Sequence, residues 1–371
     1  MRVTKLTILM LVTKRQYRGA EISAYNLSKE LIAKGHCVIW VGLYSNSEKE
    51  VIVVEGAINL DLPNSSGWLS FKKIKKLHEI FKAYKPDICQ ANGSDTLRYL
   101  VALKLFGCKT RLVYRNISII SKWITNTPKY YLFQFLFSKT DKVVSVGKEA
   151  MDDFNRLFAF KEDKAVVIHR GVPLIQPNYI AVENIKRHYS ITVDTFVFVH
   201  IGHFSAEKNH EFLIRAWKQL QQKHDHIKLV LLGDGLLREG ILETIKQKGL
   251  SNSVIAPGLQ TNIADWLSLS NVLLLCSTVE GVPGVIVEAS FQGVPSIAVN
   301  VGGVKEVLID GQNGLLVDHH DVDLFIEKCE QLINDTKLRN QLSIQSKSLV
   351  KDRFDSGINT ARFIALYQSI L

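Results

Sequence analysis

The sequence predicts an α/β protein with two doubly wound domains, each built around a parallel β-sheet. A chain of 371 residues is too long for one typical domain and long enough for two well-packed ones. In both halves, short apolar runs of strand length alternate with helical patterns, which is typical of β-α-β units and hence of parallel sheets. Between the halves, residues 171–178 read GVPLIQPN, where two prolines and a glycine interrupt any regular element.

The strand-length runs and helical patterns give the predicted elements in order. In the first half the runs are Leu6–Val12, Cys37–Leu43, Asp87–Ala91, Arg111–Tyr114, Lys142–Val146 and Ala165–His169. In the second half they lie near Phe196–Ile201, Lys228–Leu232, Val254–Ala256, Val272–Leu275, Pro295–Val299 and Gly314–Val317. Helical stretches follow at Asp321–Asn334, Lys337–Lys351 and Phe354–Leu371. We therefore predict domains over residues 1–174 and 175–352, and a C-terminal helix over 353–371 that packs back towards the first domain.

The net charge of +10 is unevenly distributed along the chain. Residues 1–175 carry 28 Lys and Arg against 15 Asp and Glu, a net +13, whereas residues 176–371 carry 18 against 21, a net −3. This asymmetry indicates that the first half faces something anionic, with a phosphorylated substrate, a lipid surface and a nucleic acid as candidates. The sequence has no recognised nucleic-acid-binding motif, so we expect no nucleic-acid partner.

Cysteine usage and hydropathy favour a cytoplasmic protein. The five cysteines are odd in number and have no close pairing, which fits a reducing compartment better than a disulfide framework. The run Leu6–Val12 is short for a signal-peptide core and no small-residue cleavage site follows it, so we interpret it as a buried strand. No apolar run reaches the roughly 18 residues that a membrane-spanning helix needs. We predict a protein that is soluble or peripheral to the membrane.

The segment EGVPGVIVE, residues 280–288, is the most informative motif. Glu280 follows a predicted strand, and Glu288 lies on the predicted helix that comes next. Pro283 suits the first helical turn, and Gly284 allows a ligand to approach backbone N–H groups that have no intrahelical partner. Such open donors suit a phosphate, while the carboxylates suit hydroxyl groups. The alternative is a pair of solvated or helix-capping glutamates.

Three other segments place chemically useful residues directly after strands. Residues 202–212 read GHFSAEKNHEF, so Lys208 precedes a helix and can meet a diphosphate as a mobile point charge, or it is an ordinary surface lysine. Gly233 opens the sequence GDG, which is either a nucleotide-contacting turn or a plain turn. In TKRQYRGAE, residues 13–21, Gly19 begins a helix next to Arg18. This last segment lacks the spaced glycines of a dinucleotide fingerprint, so NAD binding is not predicted.

Together these motifs resemble the GT-B fold glycosyltransferases of family 4, also called group 1 glycosyltransferases. The resemblance extends over nearly the whole chain and is strongest in residues 254–317, including EGVPGVIVEASFQGVPSIAV. It implies two Rossmann-like domains facing each other across a deep cleft, the first on the acceptor side and the second binding the nucleotide sugar. It also implies retaining, metal-independent transfer of a sugar from a UDP- or GDP-linked donor, which is a substrate rather than a cofactor.

The resemblance also assigns roles to individual residues. Glu280 would face the sugar ring, Glu288 would bind the ribose hydroxyls, and Lys208 would stabilise the departing diphosphate. Glu280 and Lys208 are thus the predicted catalytic residues. The predicted donor-binding residues are Gly19, Gly202, His203, Lys208, Gly233, Val282, Pro283, Gly284, Val285 and Glu288.

Two positions depart from the family pattern. His203 stands where an arginine is usual, and a histidine is a weaker, pH-dependent phosphate partner. Arg18 is a candidate to compensate for this change. Arg115 and Asn116 follow the predicted strand Arg111–Tyr114, where many relatives carry a histidine. They either contact the donor phosphate or the acceptor, or they close a turn.

Three segments and the activity itself have alternative interpretations. Residues 318–323 read DHHDVD, and their carboxylates and imidazoles lie within reach of one metal ion. Asp321 equally suits a helix N-cap, and we predict no metal site. The basic amphipathic segment Ser70–Lys85 and the aromatic segment Tyr130–Phe137 could dock on an anionic membrane or be ordinary helices. We predict a transferase acting on a glycan or lipid-linked acceptor in surface polysaccharide biosynthesis. A sugar-nucleotide epimerase or hydrolase of the same architecture is the alternative enzyme.

Overall fold

The computed structural model describes residues 5–45, 51–63 and 69–371. The chain divides into two compact units, which we call unit 1 (Met1–Pro173 with Phe354–Leu371) and unit 2 (Leu174–Arg353). The domain boundaries suggested by the sequence, after residues 174 and 352, lie one residue from this division. The acceptor and donor roles of the two halves remain predictions.

Both units are built on parallel sheets. The strands of unit 1 are β1 (Thr7–Val12), β2 (Cys37–Gly42), β3 (Ile58–Asp61), β4 (Ile88–Asn92), β5 (Arg111–Asn116), β6 (Lys142–Ser145) and β7 (Ala165–Val167), in the sheet order β3-β2-β1-β4-β5-β6-β7. Those of unit 2 are β8 (Phe196–Ile201), β9 (Ile227–Leu232), β10 (Val254–Gly258), β11 (Val272–Leu275), β12 (Ser296–Val299) and β13 (Gly314–Val317), in the order β10-β9-β8-β11-β12-β13. The predicted class, two α/β domains with parallel sheets, is confirmed.

Helices connect the strands and cover the sheets. They are α1 (Gly19–Ala33), α2 (Phe71–Tyr84), α3 (Ser94–Leu105), α4 (Thr127–Ser138), α5 (Lys148–Leu157), α6 (Tyr179–His188), α7 (His210–Gln221), α8 (Arg238–Gln247), α9 (Ile263–Ser268), α10 (Gly284–Gln292), α11 (Val322–Asn334), α12 (Thr336–Phe354) and α13 (Ser356–Ser369). Parallel strands need such crossover connections because consecutive strands must start from the same edge of the sheet.

Alternate residues of β1 enter two different hydrophobic cores. Leu9 and Leu11 pack into the core on one face of the unit 1 sheet, whereas Ile8 and Met10 pack into the core on the other. Side chains of a strand alternate between faces, so a sheet covered on both faces requires an unbroken apolar strand. This is why the continuous run in the sequence predicted a buried strand. The second core also contains Phe363 of α13, which packs against α1.

Strand β3 was missed by the sequence analysis. It has the sequence INLD, its residues are half-buried or exposed, and it pairs with β2 at the edge of the sheet. An edge strand has less of its surface covered than a central one, so polar residues are tolerated and no apolar run forms. The pattern of apolar residues in the sequence therefore did not predict β3.

Candidate functional site

Two loops of unit 2 leave the sheet on either side of its topological switch point. The chain runs outwards from β8 to β9 and β10 on one side, and from β11 to β12 and β13 on the other. The loop after β8 carries Lys208, and the loop after β11 carries Glu280. In open parallel sheets, ligands bind at the carboxyl ends of the strands where the order reverses. The two predicted catalytic residues therefore flank the position that this fold favours for a ligand.

The Lys208 and Glu280 side chains form a short ion pair. Lys208 Nζ donates a hydrogen bond to Glu280 Oε1 at 2.6 Å, and Ser277 Oγ donates to the same oxygen at 2.7 Å. The lysine side chain is 20% exposed and the glutamate side chain 10%, so water screens the pair only in part. Nearby, the Thr278 N–H donates to the Glu207 carbonyl at 2.8 Å and joins the two loops. The ammonium and the carboxylate are thus held side by side.

Glycines let the loops after β9 and β12 approach the Lys208 and Glu280 loops, respectively, backbone to backbone. Gly233, with φ +143°, leaves no room for a Cβ, which would lie 2.0 Å from the Gly202 carbonyl oxygen. A Cβ on Gly302, with φ +54°, would lie 1.9 Å from the Glu280 carbonyl oxygen. Both contacts and both torsion angles require glycine. Gly202 and Gly233, predicted as donor-binding residues, therefore have a packing role that the geometry explains.

Helix α10 presents its N-terminus directly after the Glu280 loop. Pro283 is its N-cap residue in extended conformation, and the helix begins at Gly284. The first N–H groups of a helix lack intrahelical partners, and the aligned peptide dipoles place partial positive charge there. Val282, Pro283 and Gly284 are buried, whereas Val285 and Glu288 are half-buried. The sequence prediction of strand, carboxylate loop and helix start is reproduced in the structure.

Three histidines surround the Lys208 loop, and two of them are neutral. Burial lowers the pKa of His200 to about 4, although its Nδ1 hydrogen bond to the Leu274 carbonyl opposes the shift. Burial also lowers the pKa of His210 to about 2, with His200, Lys208 and His203 adding to the shift. Neutral imidazoles bring no charge to a phosphate. Lys208 is therefore the strong cation of this loop, with His203 half-buried beside Gly235.

The predicted residues of unit 1 lie in two different environments. Gly19 and Arg18 are exposed at the start of α1, and a Cβ on Gly19 would lie 3.8 Å from Arg170 Nη1. Arg115 and Asn116, by contrast, are not loop residues as the sequence suggested. They are the last two residues of β5 and are 1% and 0% exposed.

The buried side chains of Arg115 and Asn116 each donate hydrogen bonds inside unit 1. Arg115 Nη2 donates to Ser23 Oγ at 2.7 Å, and Asn116 Nδ2 donates to the Ala150 carbonyl at 3.1 Å. Desolvation, together with the neighbouring charge of Arg170, lowers the pKa of Arg115 to about 10. Both side chains are buried inside unit 1, so their predicted position in a loop is corrected, while a contact of either with the donor phosphate or the acceptor stays a prediction.

Unit 1 contains a polar pocket that the sequence analysis missed. It lies at the carboxyl ends of β1, β4 and β5, and its lining includes Thr13, Glu21, Asn92, Asp95 and Trp123. Carboxylates, an amide, a hydroxyl and an indole are the groups that bind hydroxyl-rich rings. The available signal was the position of four of these residues, since Thr13 and Asn92 lie at strand ends and Glu21 and Asp95 in the first turns of helices, whereas Trp123 lies in the loop between β5 and α4. No spacing motif links them, because they come from four separate segments.

The residues proposed as an alternative metal site have other roles. Asp321 Oδ1 accepts a hydrogen bond from the Leu324 N–H at 3.0 Å and caps α11. Within residues 5–45, 51–63 and 69–371, no group of three or more His, Cys, Asp and Glu side chains is arranged to hold a metal ion. None of the helices in these ranges has the length and apolar composition to cross a membrane.

The fold and the loops at the unit 2 switch point define the class of GT-B glycosyltransferases, and comparisons identify the family. A model described as Glycosyltransferase Family 4 matches residues 17–176, and one described as Glycosyl transferases group 1 matches residues 181–349. Together they account for most of the chain, which belongs to the group 1 glycosyltransferases of family 4.

Individual relatives are similar over much of their length. The N-acetyl-alpha-D-glucosaminyl L-malate synthase of Bacillus anthracis is 29% identical over 64% of this chain, and the chain spans 58% of that relative. An N-acetylgalactosaminyltransferase of Campylobacter jejuni named for a diphospho-undecaprenol-linked sugar is 25% identical, over 75% of this chain and 78% of its own. The solved structure of Anabaena HepE in complex with UDP-glucose superposes with a TM-score of 0.85 at 21% identity, covering 99% of this chain and 100% of that one. This likeness confirms the GT-B fold.

Proposed function

We propose that this protein is a retaining glycosyltransferase that moves a sugar from a UDP- or GDP-linked donor to a glycan or lipid-linked acceptor in surface polysaccharide biosynthesis. The observation that carries the proposal is the Lys208–Glu280 ion pair at the unit 2 switch point, directly before the open N-terminus of α10. The names of the relatives support it, since they include a UDP-glucose complex and a transferase for a lipid-linked sugar.

Each group at this site has a chemical role in the proposed reaction. Glu280 accepts hydrogen bonds from sugar hydroxyls, and Glu288 accepts them from the ribose. Lys208 and the N–H groups at Gly284 and Val285 neutralise the diphosphate as it leaves, so the proposed reaction is metal-independent. For retention, the acceptor attacks the same face from which the diphosphate departs, and a donor phosphate oxygen takes the acceptor's proton. The acceptor glycan would use the unit 1 pocket around Glu21, Asp95 and Trp123.

Thermal stabilisation by nucleotide sugars tests the donor part of this proposal. At a concentration about 100 times its Kd, a ligand that binds only the native state stabilises it by about 2.7 kcal/mol. We expect a UDP- or GDP-sugar to raise the melting temperature, and Lys208→Met to reduce that shift. Lys223→Met, which removes an exposed lysine in the same unit, is the matched control and should keep it. No shift with any nucleotide sugar would contradict the proposal, while conversion of the donor without an acceptor product would favour the epimerase or hydrolase.

We further propose that unit 1 binds peripherally to an anionic membrane at its cytoplasmic face. On α2, Lys73 is buried, with its Nζ 4.0 Å from the centroid of the Tyr44 ring. Phe71 of the same helix is 81% exposed, and the other lysines of the helix are exposed to solvent. On α4, Tyr131 is 63% exposed, whereas Phe137 lies in the core. Exposed aromatic and basic side chains in the more cationic half suit an anionic lipid surface.

Vesicle sedimentation at low salt tests this membrane proposal. The protein should sediment with vesicles containing phosphatidylserine and remain in solution with vesicles of phosphatidylcholine alone. Because each basic residue near the surface contributes about 1 kcal/mol, reversing three exposed lysines should lower binding at least about tenfold. The test variant changes Lys72, Lys75 and Lys76 to Glu, and the control changes the exposed unit 2 residues Lys218, Lys246 and Lys248 to Glu. Equal loss in both variants, or no sedimentation of the wild type, would reject membrane docking.

A further inference from the structure

His320 bonds to the backbone at the exit of strand β11. Its Nε2 lies 2.9 Å from the Cys276 carbonyl oxygen and 3.2 Å from the Ser277 carbonyl oxygen. Both partners are acceptors, so Nε2 carries the proton and donates to them. The imidazole also packs edge-on against Phe212 of α7, with ring centroids 5.3 Å apart. One half-buried side chain from the loop before α11 thus contacts the loop after β11 and helix α7, which follows the Lys208 loop.

The residues that His320 holds lead directly to the carboxylate of Glu280. Ser277, whose carbonyl accepts from His320, donates through Oγ to Glu280 Oε1 at 2.7 Å. Cys276 and Ser277 are 0% and 1% exposed, so their carbonyls are sheltered from water and depend on donors within the protein. A contact from His320 therefore fixes the peptide from which the Ser277 hydroxyl projects towards Glu280.

We propose that His320 is a positioning residue for the transfer reaction, acting through Ser277 on the orientation of Glu280. This inference rests on the proposed function, in which Glu280 contacts the donor sugar. The His320 side chain bonds to backbone carbonyls, whereas Ser277 Oγ and Lys208 Nζ both donate to Glu280 Oε1. In the sequence, the motif around His320 offered a metal site as an alternative that was not predicted, whereas in the structure the His320 side chain bonds to the neighbouring loop.

Loss of the Nε2–H donor should reduce turnover more than donor binding. Lys208 and the start of α10 remain in place without His320, so the diphosphate keeps its partners. The sugar, however, meets a carboxylate whose supporting loop has lost a buried hydrogen bond, and misplacement by about 1 Å can cost about 100-fold in rate. We expect His320→Leu to lower kcat about 10- to 100-fold and to change the KM for the donor less than about threefold.

A conservative variant separates positioning from simple packing. The Gln side chain carries an N–H donor that can reach the two carbonyls, so His320→Gln should recover most of the kcat that His320→Leu loses. The matched control is the same pair of changes at His319, which is exposed and adjacent. Both His319 variants should keep wild-type kcat. Equal loss in His320→Gln and His320→Leu, or wild-type kcat in His320→Leu, would overturn the inference.

Combining His320→Leu with Ser277→Ala tests the route of action. If His320 acts through Ser277, the double variant should be little slower than the slower single variant, because both changes remove the same support. Rate losses that multiply would mean that the two residues act independently, and would overturn the inference. Failure of the proposed function is distinguishable: it would appear as absence of nucleotide-sugar turnover in the wild-type protein and in both His319 variants.

Discussion

Lys208→Met should lower the rate of sugar transfer by about 100- to 1,000-fold, which is the usual cost of removing one group that stabilises charge in a transition state. In the proposed reaction, the negative charge on the diphosphate grows as the bond between the sugar and the phosphate oxygen breaks. Lys208 provides the strong cation on its loop, because the buried imidazoles of His200 and His210 are held neutral by their low pKa values. Glu280→Gln should cause a comparable loss, since the amide presents a donor where the sugar hydroxyl needs an acceptor. The measurement is kcat/KM with the donor identified by thermal stabilisation.

A matched ion pair in the same unit controls for loss of charge. Lys223 Nζ lies 3.1 Å from Glu330 Oε1, and the two side chains are 55% and 28% exposed. Lys223→Met and Glu330→Gln should leave transfer within about twofold, because an exposed pair contributes about 1 kcal/mol at most to stability and nothing to the site. The double variant Lys208→Met/Glu280→Gln leaves no buried charge unpaired and should fold normally while remaining inactive. Near-normal transfer by either single variant would remove the basis for the proposed mechanism.

The sequence was sufficient to predict the loops of the site because the positions of the loops follow from the positions of the strands. Each functional loop directly follows a strand, and all strands of a parallel sheet end at the same edge. Apolar runs located β8 and β11 to within a residue or less. Lys208 and Glu280 could therefore be assigned to one edge of one sheet. Their ion pair, at 2.6 Å, is the structural consequence of that placement.

Arg115 shows where this reasoning fails. The sequence analysis ended its strand at Tyr114, because an arginine followed by an asparagine looks like the beginning of a polar loop. The strand continues through Asn116, and the Arg115 side chain turns inwards to Ser23, 92 positions earlier in the chain. Burial of an arginine is rare and depends on a partner that tertiary packing supplies. No local pattern contains that information.

The role of His320 could not be predicted from the sequence for a related reason. Its neighbours are carboxylates and a second histidine, and these residue types allowed two interpretations, a metal site, which was not predicted, and a helix N-cap at Asp321. The contact that matters is with carbonyls 43 and 44 positions away, and it depends on the alignment of β13 beside β12 and β11. Side-chain-to-backbone contacts across a sheet leave no sequence motif, because every residue carries a carbonyl. The residues that carry the proposed chemistry were thus more predictable than the contacts that hold their loops in place.

Gly302→Ala should inactivate the enzyme and destabilise unit 2, although residue 302 has no functional group. A Cβ at this position would lie 1.9 Å from the Glu280 carbonyl oxygen and 3.0 Å from its carbonyl carbon, so one of the two loops must move. A shift of about 1 Å at Glu280 would lower kcat about 100-fold. In addition, an alanine at φ +54° adds backbone strain of about 1 kcal/mol.

The variant Gly311→Ala separates the backbone strain of a positive φ from the steric clash with the Glu280 loop. Gly311 has a similar φ of +69°, lies in the same unit, and has no atom within 4 Å of the position that a Cβ would occupy. This control should lose about 1 kcal/mol of stability and keep its kcat, because only the torsional cost applies. Gly302→Ala should lose more stability in urea unfolding and its activity as well. If the two variants lose the same stability and keep the same kcat, the Glu280 loop can move away from the added methyl group without loss of function. The close packing between the loops after β11 and β12 then does not set the position of the carboxylate.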